Sequence, residues 1–179
     1  MLDFEILSDF DKDTYNFYKE NLSNFKTVLE DTHNSLVFAD QWNYNCMSYA
    51  FDVFDDWLEL AEFTHSLKGS YVGGKTDYEQ LNQTFIDCCK EIEERFAVRR
   101  LTDPYVELAA NERMIAFRIG ADDFHFARRN SDGVWTHKLG HNYIREMSED
   151  ELLGTCWCIS SRTYPYESKV AFFAVIEEE

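Results

Sequence analysis

Proline, glycine and long apolar runs are scarce in this sequence. Two prolines and seven glycines occur among 179 residues, which excludes a collagen-like chain and a disordered chain rich in these residues. No run of about 18 apolar residues occurs, so no membrane-spanning helix is expected. The Asp103–Pro104 step is the only linker-like break, and no internal repeat is visible. We therefore expect one globular domain over residues 1–179.

Basic residues are also in short supply. The chain has 17 Lys and Arg against 34 Asp and Glu, a formal net charge of −17, and the acidic excess is concentrated in residues 1–60. Nucleic acid and anionic lipid would repel such a chain, so direct binding to nucleic acid or to a membrane is not expected. The start, Met-Leu-Asp-Phe-Glu, lacks the basic and apolar regions of a signal peptide. We expect a cytoplasmic protein. Export by a dedicated route that reads another signal remains an alternative.

The five cysteines do not suggest a disulfide framework, because their number is odd and the chain looks intracellular. The Cys88–Cys89 pair and the Cys156-x-Cys158 pair are spaced too closely for a structural zinc site. These four cysteines are therefore expected to pack in the core as small apolar residues. No metal ion and no cofactor are expected.

Helical spacing of apolar residues dominates the first half of the chain. It predicts helices at about 13–31, within an N-terminal helical lead of residues 1–40, at about 46–61, and at about 76–98. Asp11 or Asp13 can cap the first helix, and Asn45 can cap the second. Thr76 and Glu79 have the spacing of a capping box for the third.

The second half of the chain has the pattern of an antiparallel sheet. Strands are predicted at Met114–Ile119, Asp123–Arg129, Val134–Leu139, Thr155–Ile159 and Lys169–Ile176, with a short helix starting at Ser148–Glu151. The turn signal Asn130–Gly133 joins the second and third strands in a hairpin. Helices followed by an antiparallel sheet predict an α+β fold, with the helices packed on the sheet.

Cys46 is the candidate nucleophile. It falls in the first turn of the helix that Asn45 caps, where free N–H groups and the helix dipole favour a thiolate and lower the pKa of the thiol. Nucleophilic cysteine chemistry needs this placement. The alternative is an inert, half-buried cysteine.

His125 and His137 are the candidate base and its orienting group. They lie twelve positions apart on the two strands of the predicted hairpin. A hairpin loop with an odd number of residues would place them directly across from each other on one face, and an even loop would place them on opposite faces. His141 is a second candidate orienting group if His137 points away.

Three motifs surround these residues: 45–50 (Asn-Cys-Met-Ser-Tyr-Ala), 123–129 (Asp-Phe-His-Phe-Ala-Arg-Arg) and 132–140 (Asp-Gly-Val-Trp-Thr-His-Lys-Leu-Gly). Their order resembles the NlpC/P60 group of papain-like cysteine peptidases. A closer likeness is to a little-described group of bacterial and phage proteins with these same three motifs. The likeness covers roughly residues 41–140.

The resemblance implies a papain-like, hydrolase-like core over residues 41–179. In that core Cys46 would be the nucleophile, His125 the base and His137 the orienting group, and the substrate would be a peptide or an amide. The oxyanion would be bound by the Cys46 N–H and by Gln41 or Tyr44.

Arg128, Arg129 and Trp135 are the candidate substrate-binding residues. The two arginines could bind a carboxylate of the substrate, or they could form salt bridges with the acidic helices. The chain departs from the NlpC/P60 pattern at Asn45-Cys46-Met47, where that group has Asp-Cys-Ser/Gly. The helix predicted at about 76–98 is an insertion relative to the compact core of that group.

The sequence favours two competing functions. The first is a papain-like cysteine hydrolase, which could be a peptidase, an amidase or a related acyl transferase. The second is an acidic, non-enzymatic interaction protein, an inhibitor or effector that binds a basic protein partner. A catalytically inactive member of the first class that uses its cleft for binding is a third reading.

Overall fold

The computed structural model describes residues 45–53, 71–72, 75–121, 123–138, 144–158 and 165–177. The helix predicted at about 13–31 and the far end of the helix predicted at about 46–61 lie outside these residues. In chain order the described elements are α1 (Cys46–Phe51), β1 (Tyr71–Val72), β2 (Lys75–Thr76), α2 (Tyr78–Arg95), β3 (Val98–Leu101), β4 (Glu112–Ile119), β5 (Phe124–Arg129), β6 (Trp135–Lys138), β7 (Ile144–Met147), α3 (Glu149–Leu153) and β8 (Ala171–Ile176).

A six-stranded antiparallel sheet organises this part of the chain. Its strands lie in the order β3-β8-β4-β5-β6-β7, and β8 therefore separates β3 from β4. Strands β1 and β2 form a separate two-stranded ladder. With α1 and α2 packed on the sheet, the α+β class expected from the sequence is confirmed.

The cap of α1 is as predicted, but the helix is shorter. The Asn45 side-chain oxygen accepts the N–H groups of Met47 and Ser48, both at 3.0 Å. The helix ends after Phe51, because Asp52 takes a left-handed conformation with φ 61° and its N–H turns back to the last carbonyls. The prediction of an unbroken helix to residue 61 is therefore wrong.

Helix α2 begins one residue later than predicted. The Asp77 side chain, not Thr76, accepts the N–H groups of Glu79 and Gln80, whereas the Thr76 hydroxyl donates to Glu167 at 2.6 Å. The predicted capping box is therefore wrong, since Thr76 is already part of the β1–β2 ladder. The helix also stops at Arg95, because the chain enters β3 at Val98.

The sheet is buried on both faces. Successive side chains of a strand point to opposite faces, and α1 and α2 cover one of them, called here the helix face. Its buried side chains are Ile115, Phe117, Ile119, Phe124, Phe126, Ala171, Phe173 and Val175, packed on Cys46, Met47, Ala50 and Phe51 of α1 and on Leu81, Phe85, Cys88, Cys89 and Ile92 of α2.

The other face, called here the tryptophan face, has its own core. It contains Leu101, Met114, Ala116, Ala127, Trp135, Met147, Phe172 and Ala174, covered by Leu152 of α3, Trp157 and Tyr166. Helix α3 starts at Ser148 as predicted, with a complete capping box to Glu151. The strand predicted at Thr155–Ile159 is wrong over the residues described, because only a single bridge joins Trp157 to Tyr166.

Strand β7 was not predicted as a strand, since only an extended or loop segment was expected at His141–Arg145. It pairs with β6 and forms one edge of the sheet. No helix among the described residues is long and apolar enough to cross a membrane.

Candidate functional site

A three-residue loop, residues 131–133, joins β5 and β6. The Asn130 N–H donates to the Val134 carbonyl, and the Gly133 N–H donates to the Asn130 carbonyl, both at 2.9 Å. Gly133 has φ 86°, the left-handed glycine that loops of this length use. The loop therefore has an odd number of residues, which is the condition for the two histidines to lie on one face.

His125 and His137 do share the tryptophan face, but they are not directly opposite each other. His137 is registered against Ala127, so His125 is its diagonal neighbour. The two rings still meet, with His125 Nε2 and His137 Nδ1 2.9 Å apart. The structure thus confirms the shared face and corrects the predicted register by two residues.

A hydrogen-bonded chain of three side chains results. Arg145, on the next strand, donates its Nε–H to His137 Nε2 at 2.8 Å. A neutral His137 must then have its proton on Nδ1, and it donates this proton to His125 Nε2. The remaining proton of a neutral His125 is on Nδ1, on the side of the ring away from His137.

Burial keeps both imidazoles neutral. His125 is 3% exposed and His137 fully buried, and the His125 ring lies against Tyr166 and Trp157. Burial, with a smaller contribution from the Arg145 guanidinium, lowers the pKa of His125 to about 3. Burial and the neighbouring His125 and Arg145 hold the pKa of His137 well below its usual value.

Cys46 lies on the opposite side of the sheet from these histidines. It packs in the helix-face core with Phe124 and Phe126, the two residues that flank His125 in the strand. Its thiol donates to the Phe124 carbonyl at 3.9 Å. Because β5 alternates its side chains between faces, the sheet separates the thiol from the His125 ring, and the predicted Cys-His-His arrangement is not formed.

The thiol of Cys46 is also not a thiolate. Burial raises its pKa to about 12, and the nearby carboxylate of Asp123 adds to the shift. The expected lowering by the helix start is overcome, since a six-residue helix offers a weak dipole and the thiol is out of water.

Lys138 is a titratable side chain of the hairpin that lies on the helix face, as Cys46 does. It is fully buried, and it lies two residues from Thr136, whose hydroxyl is 2.8 Å from the Tyr49 hydroxyl on α1. Tyr49 follows Cys46 by one helical turn, so α1 lies along this part of β6. Burial lowers the pKa of Lys138 to about 7, opposed by the nearby Cys46 sulfur.

The candidate substrate-binding residues lie near the other end of the hairpin. Arg128 is buried on the helix face, over the Tyr49 ring and 3.3 Å from Asp52, which is the salt bridge considered as its alternative role. Arg129 and Trp135 line an open cleft of about 450 Å³ beside the hairpin loop. None of these three side chains lies beside Cys46. They lie near the loop end of the hairpin, whereas Cys46 lies near Phe124, at the start of β5.

Gln41 and Tyr44, the two oxyanion candidates, lie outside the described residues, and so does His141. Within the described residues, no group of three or more His, Cys, Asp or Glu side chains could hold a metal ion.

Comparison with known proteins gives a family match. A family model, described as a domain of unknown function (DUF7689), matches residues 36–159, which is more than half of the chain. The chain belongs to this family. No curated protein and no solved structure matches it.

Three residues of the site had no role predicted from the sequence, and all three lie within the DUF7689 match: Asp123, Lys138 and Arg145. Strand alternation was the signal that could have found Lys138, because it must face away from its neighbour His137. Arg145 could not be found in this way, since its role depends on β7 pairing with β6.

Proposed function

We propose that this chain is a cysteine hydrolase that acts on a peptide or amide bond. Cys46 is its nucleophile, and Lys138, rather than a histidine, is the base. One observation carries the proposal: the buried Lys138 side chain lies on the same side of the sheet as Cys46, and each group shifts the pKa of the other. Buried lysines with a lowered pKa are typical of general-base chemistry.

The base fits the chemistry expected at neutral pH. With its pKa lowered to about 7, the Lys138 amine is uncharged in a large fraction of molecules, and a base with a pKa near the working pH is the most effective. The thiol is protonated at rest, so its proton must leave during the attack. The sulfur bonds to the carbonyl carbon while the thiol proton passes to the Lys138 amine.

The remaining steps follow from this transfer. The oxyanion forms beside the new lysine ammonium and the Cys46 N–H at the start of α1, both of which stabilise negative charge. The ammonium then gives its proton to the leaving amine as the carbon–nitrogen bond breaks. Water hydrolyses the thioester, with Lys138 again taking a proton, and the free thiol is restored.

The papain-like fold is part of the same proposal. It is supported by a cysteine in the first turn of a helix that packs on an antiparallel sheet. The histidines have a different role in this arrangement. Linked to Arg145 across three strands, they hold together the β5–β6 hairpin on which Lys138 is positioned.

Acylation by p-nitrophenyl acetate tests the proposal. We expect a thioester on Cys46, located by mass spectrometry, with a rate that rises through pH 7 as Lys138 loses its proton. Lys138→Met, which keeps the apolar stem, should lower the rate at pH 8 by about 100-fold, the usual size of a general-base contribution. Lys90→Met is the matched control, because Lys90 is exposed on α2.

Two further variants complete this experiment. Cys46→Ala should abolish acylation, and His125→Asn should keep the pH profile of the wild type. The proposal fails if the Lys138 variant keeps the wild-type profile while folded, or if Cys46 is acylated only in denaturant.

The second candidate function is binding of a basic protein segment. The cleft beside the hairpin loop has aromatic side chains, Tyr105 and Trp135, and three acidic ones, which are Glu146, Glu149 and Glu151. Aromatic faces and carboxylates together suit a lysine or arginine side chain. The strongly acidic chain would also attract a basic partner from a distance.

A further inference from the structure

Cys156 and Cys158 are the cysteines that the fold leaves outside its cores. Cys158 is exposed and Cys156 is half-buried, whereas Cys46, Cys88 and Cys89 are buried. The expectation that all four of the paired cysteines pack in the core is therefore wrong for this pair. Their sulfur atoms are 3.4 Å apart, close to van der Waals contact.

Trp157, between the two cysteines, holds them in this arrangement. Its N–H and carbonyl both pair with Tyr166 at 3.0 Å, and its indole N–H donates to the Leu152 carbonyl at 2.9 Å. The backbone is thus fixed in an extended form, in which residues i and i+2 point to the same side. Because the Trp157 ring points into the core, both thiols point outward together.

The segment before the pair is fixed as well. The buried Arg118 guanidinium donates to the carbonyls of Gly154 and Thr155 at 2.8 and 2.9 Å. The hydrogen bond between the two sulfurs raises the pKa of Cys158 above its usual value, as expected when the Cys158 S–H donates to the Cys156 sulfur.

We propose that Cys156 and Cys158 form a redox-active dithiol, which hydroperoxides oxidise reversibly to a disulfide within one chain. One thiolate attacks the peroxide, forms a sulfenic acid and releases water or an alcohol. The other thiolate attacks that sulfur, the S–S bond forms, and a water molecule leaves. Two electrons and two protons pass from the dithiol to the peroxide.

The geometry also explains why the oxidation is reversible. Extended residues two positions apart have Cα atoms roughly 6.6 Å apart, near the upper limit for a disulfide. The bond can therefore form with small shifts, but it is strained, and strained disulfides are readily reduced by small dithiols. This inference is independent of the proposed hydrolase.

The test is titration of the full-length native protein with hydrogen peroxide. We expect the number of free thiols to fall from five to three at one equivalent, with a loss of two hydrogen atoms in intact mass. Peptide mapping should find the bridge between Cys156 and Cys158, and dithiothreitol should restore all the thiols. The buried Cys88–Cys89 pair is an internal control and should stay reduced.

Single serine variants separate this proposal from simple exposure. Cys156→Ser and Cys158→Ser should each lose the intramolecular bridge and instead show sulfenic acid on the remaining thiol. The proposal is overturned if the wild type gives sulfinic acids on separate cysteines without a bridge. It is equally overturned if the bridge forms elsewhere at the same rate.

Discussion

At the scale of single residues, burial decides the protonation of the candidate site. His125, His137 and Lys138 all lie in the β5–β6 hairpin and are all out of water, so each has its charged form disfavoured. A neutral imidazole can both accept and donate, which allows the Arg145–His137–His125 chain of hydrogen bonds. A protonated pair would bring two cations together in the core.

The two histidines should make the protein unstable in acid. Their pKa values are lowered in the folded state, from about 6.5 in the unfolded chain. Below pH 6.5 the unfolded chain therefore binds more protons, and the free energy of unfolding falls as pH decreases toward 3. Each histidine contributes about 1.4 kcal/mol per pH unit.

Urea denaturation at pH 7, 6 and 5 measures this dependence. His125→Asn should remove one of the two protons taken up on unfolding in this range. A protein equally stable at pH 7 and pH 5 would contradict the neutral, buried pair.

At the scale of elements, the β5–β6 hairpin depends on one glycine. Gly133 has φ 86°, and a Cβ at this position would lie 3.5 Å from the Arg129 guanidinium, an ordinary contact. A larger residue at position 133 is therefore disfavoured by the backbone conformation and not by lack of space. The turn determines the register that brings the two histidines together.

Gly133→Ala should destabilise the protein by about 1–2 kcal/mol, because a left-handed conformation costs that much with a Cβ. Gly133→Asn is the matched variant, since asparagine tolerates this conformation better. Urea denaturation of both variants gives the comparison. Equal losses in the two would mean that crowding, not backbone strain, is the cause.

The elements that local sequence signals define were predictable, and the others were not. The hairpin turn, the Asn45 cap and the Ser148 cap each depend on residues within a few positions, so the sequence was enough. The early end of α1 at Asp52 and the start of β3 at Val98 were missed. Both involve contacts with distant strands, since Asp52 forms an ion pair with Arg128 of β5 and β3 pairs with β8 at the other end of the chain.

At the scale of the whole molecule, the net charge of −17 governs which partners can approach. The described part of the chain adds a location, the aromatic and acidic cleft between the hairpin loop and α3. Long-range attraction and a local site together would favour a basic protein segment over other cations.

A lysine-rich peptide should bind this cleft, with an affinity that falls as salt is raised from 50 to 300 mM, because salt screens attraction between exposed charges. The double variant Glu146→Gln, Glu149→Gln should weaken binding, whereas Glu93→Gln, Glu94→Gln on α2 should not. Fluorescence titration measures both. Equal binding by the two double variants would indicate attraction by net charge alone.

The sequence by itself determined that Phe124 and Phe126 lie on the face of β5 opposite to His125, because side chains alternate along a strand. It left the face of His137 to the length of the hairpin loop, and the three-residue loop of the structure puts His137 on the same face as His125. Only the tertiary structure decided which face receives α1, because both faces of the sheet are apolar and either could bury a helix. The aromatic packing of Phe51 on Phe126 brings α1 to the phenylalanine side, and this places Cys46 with Lys138 and apart from the histidines.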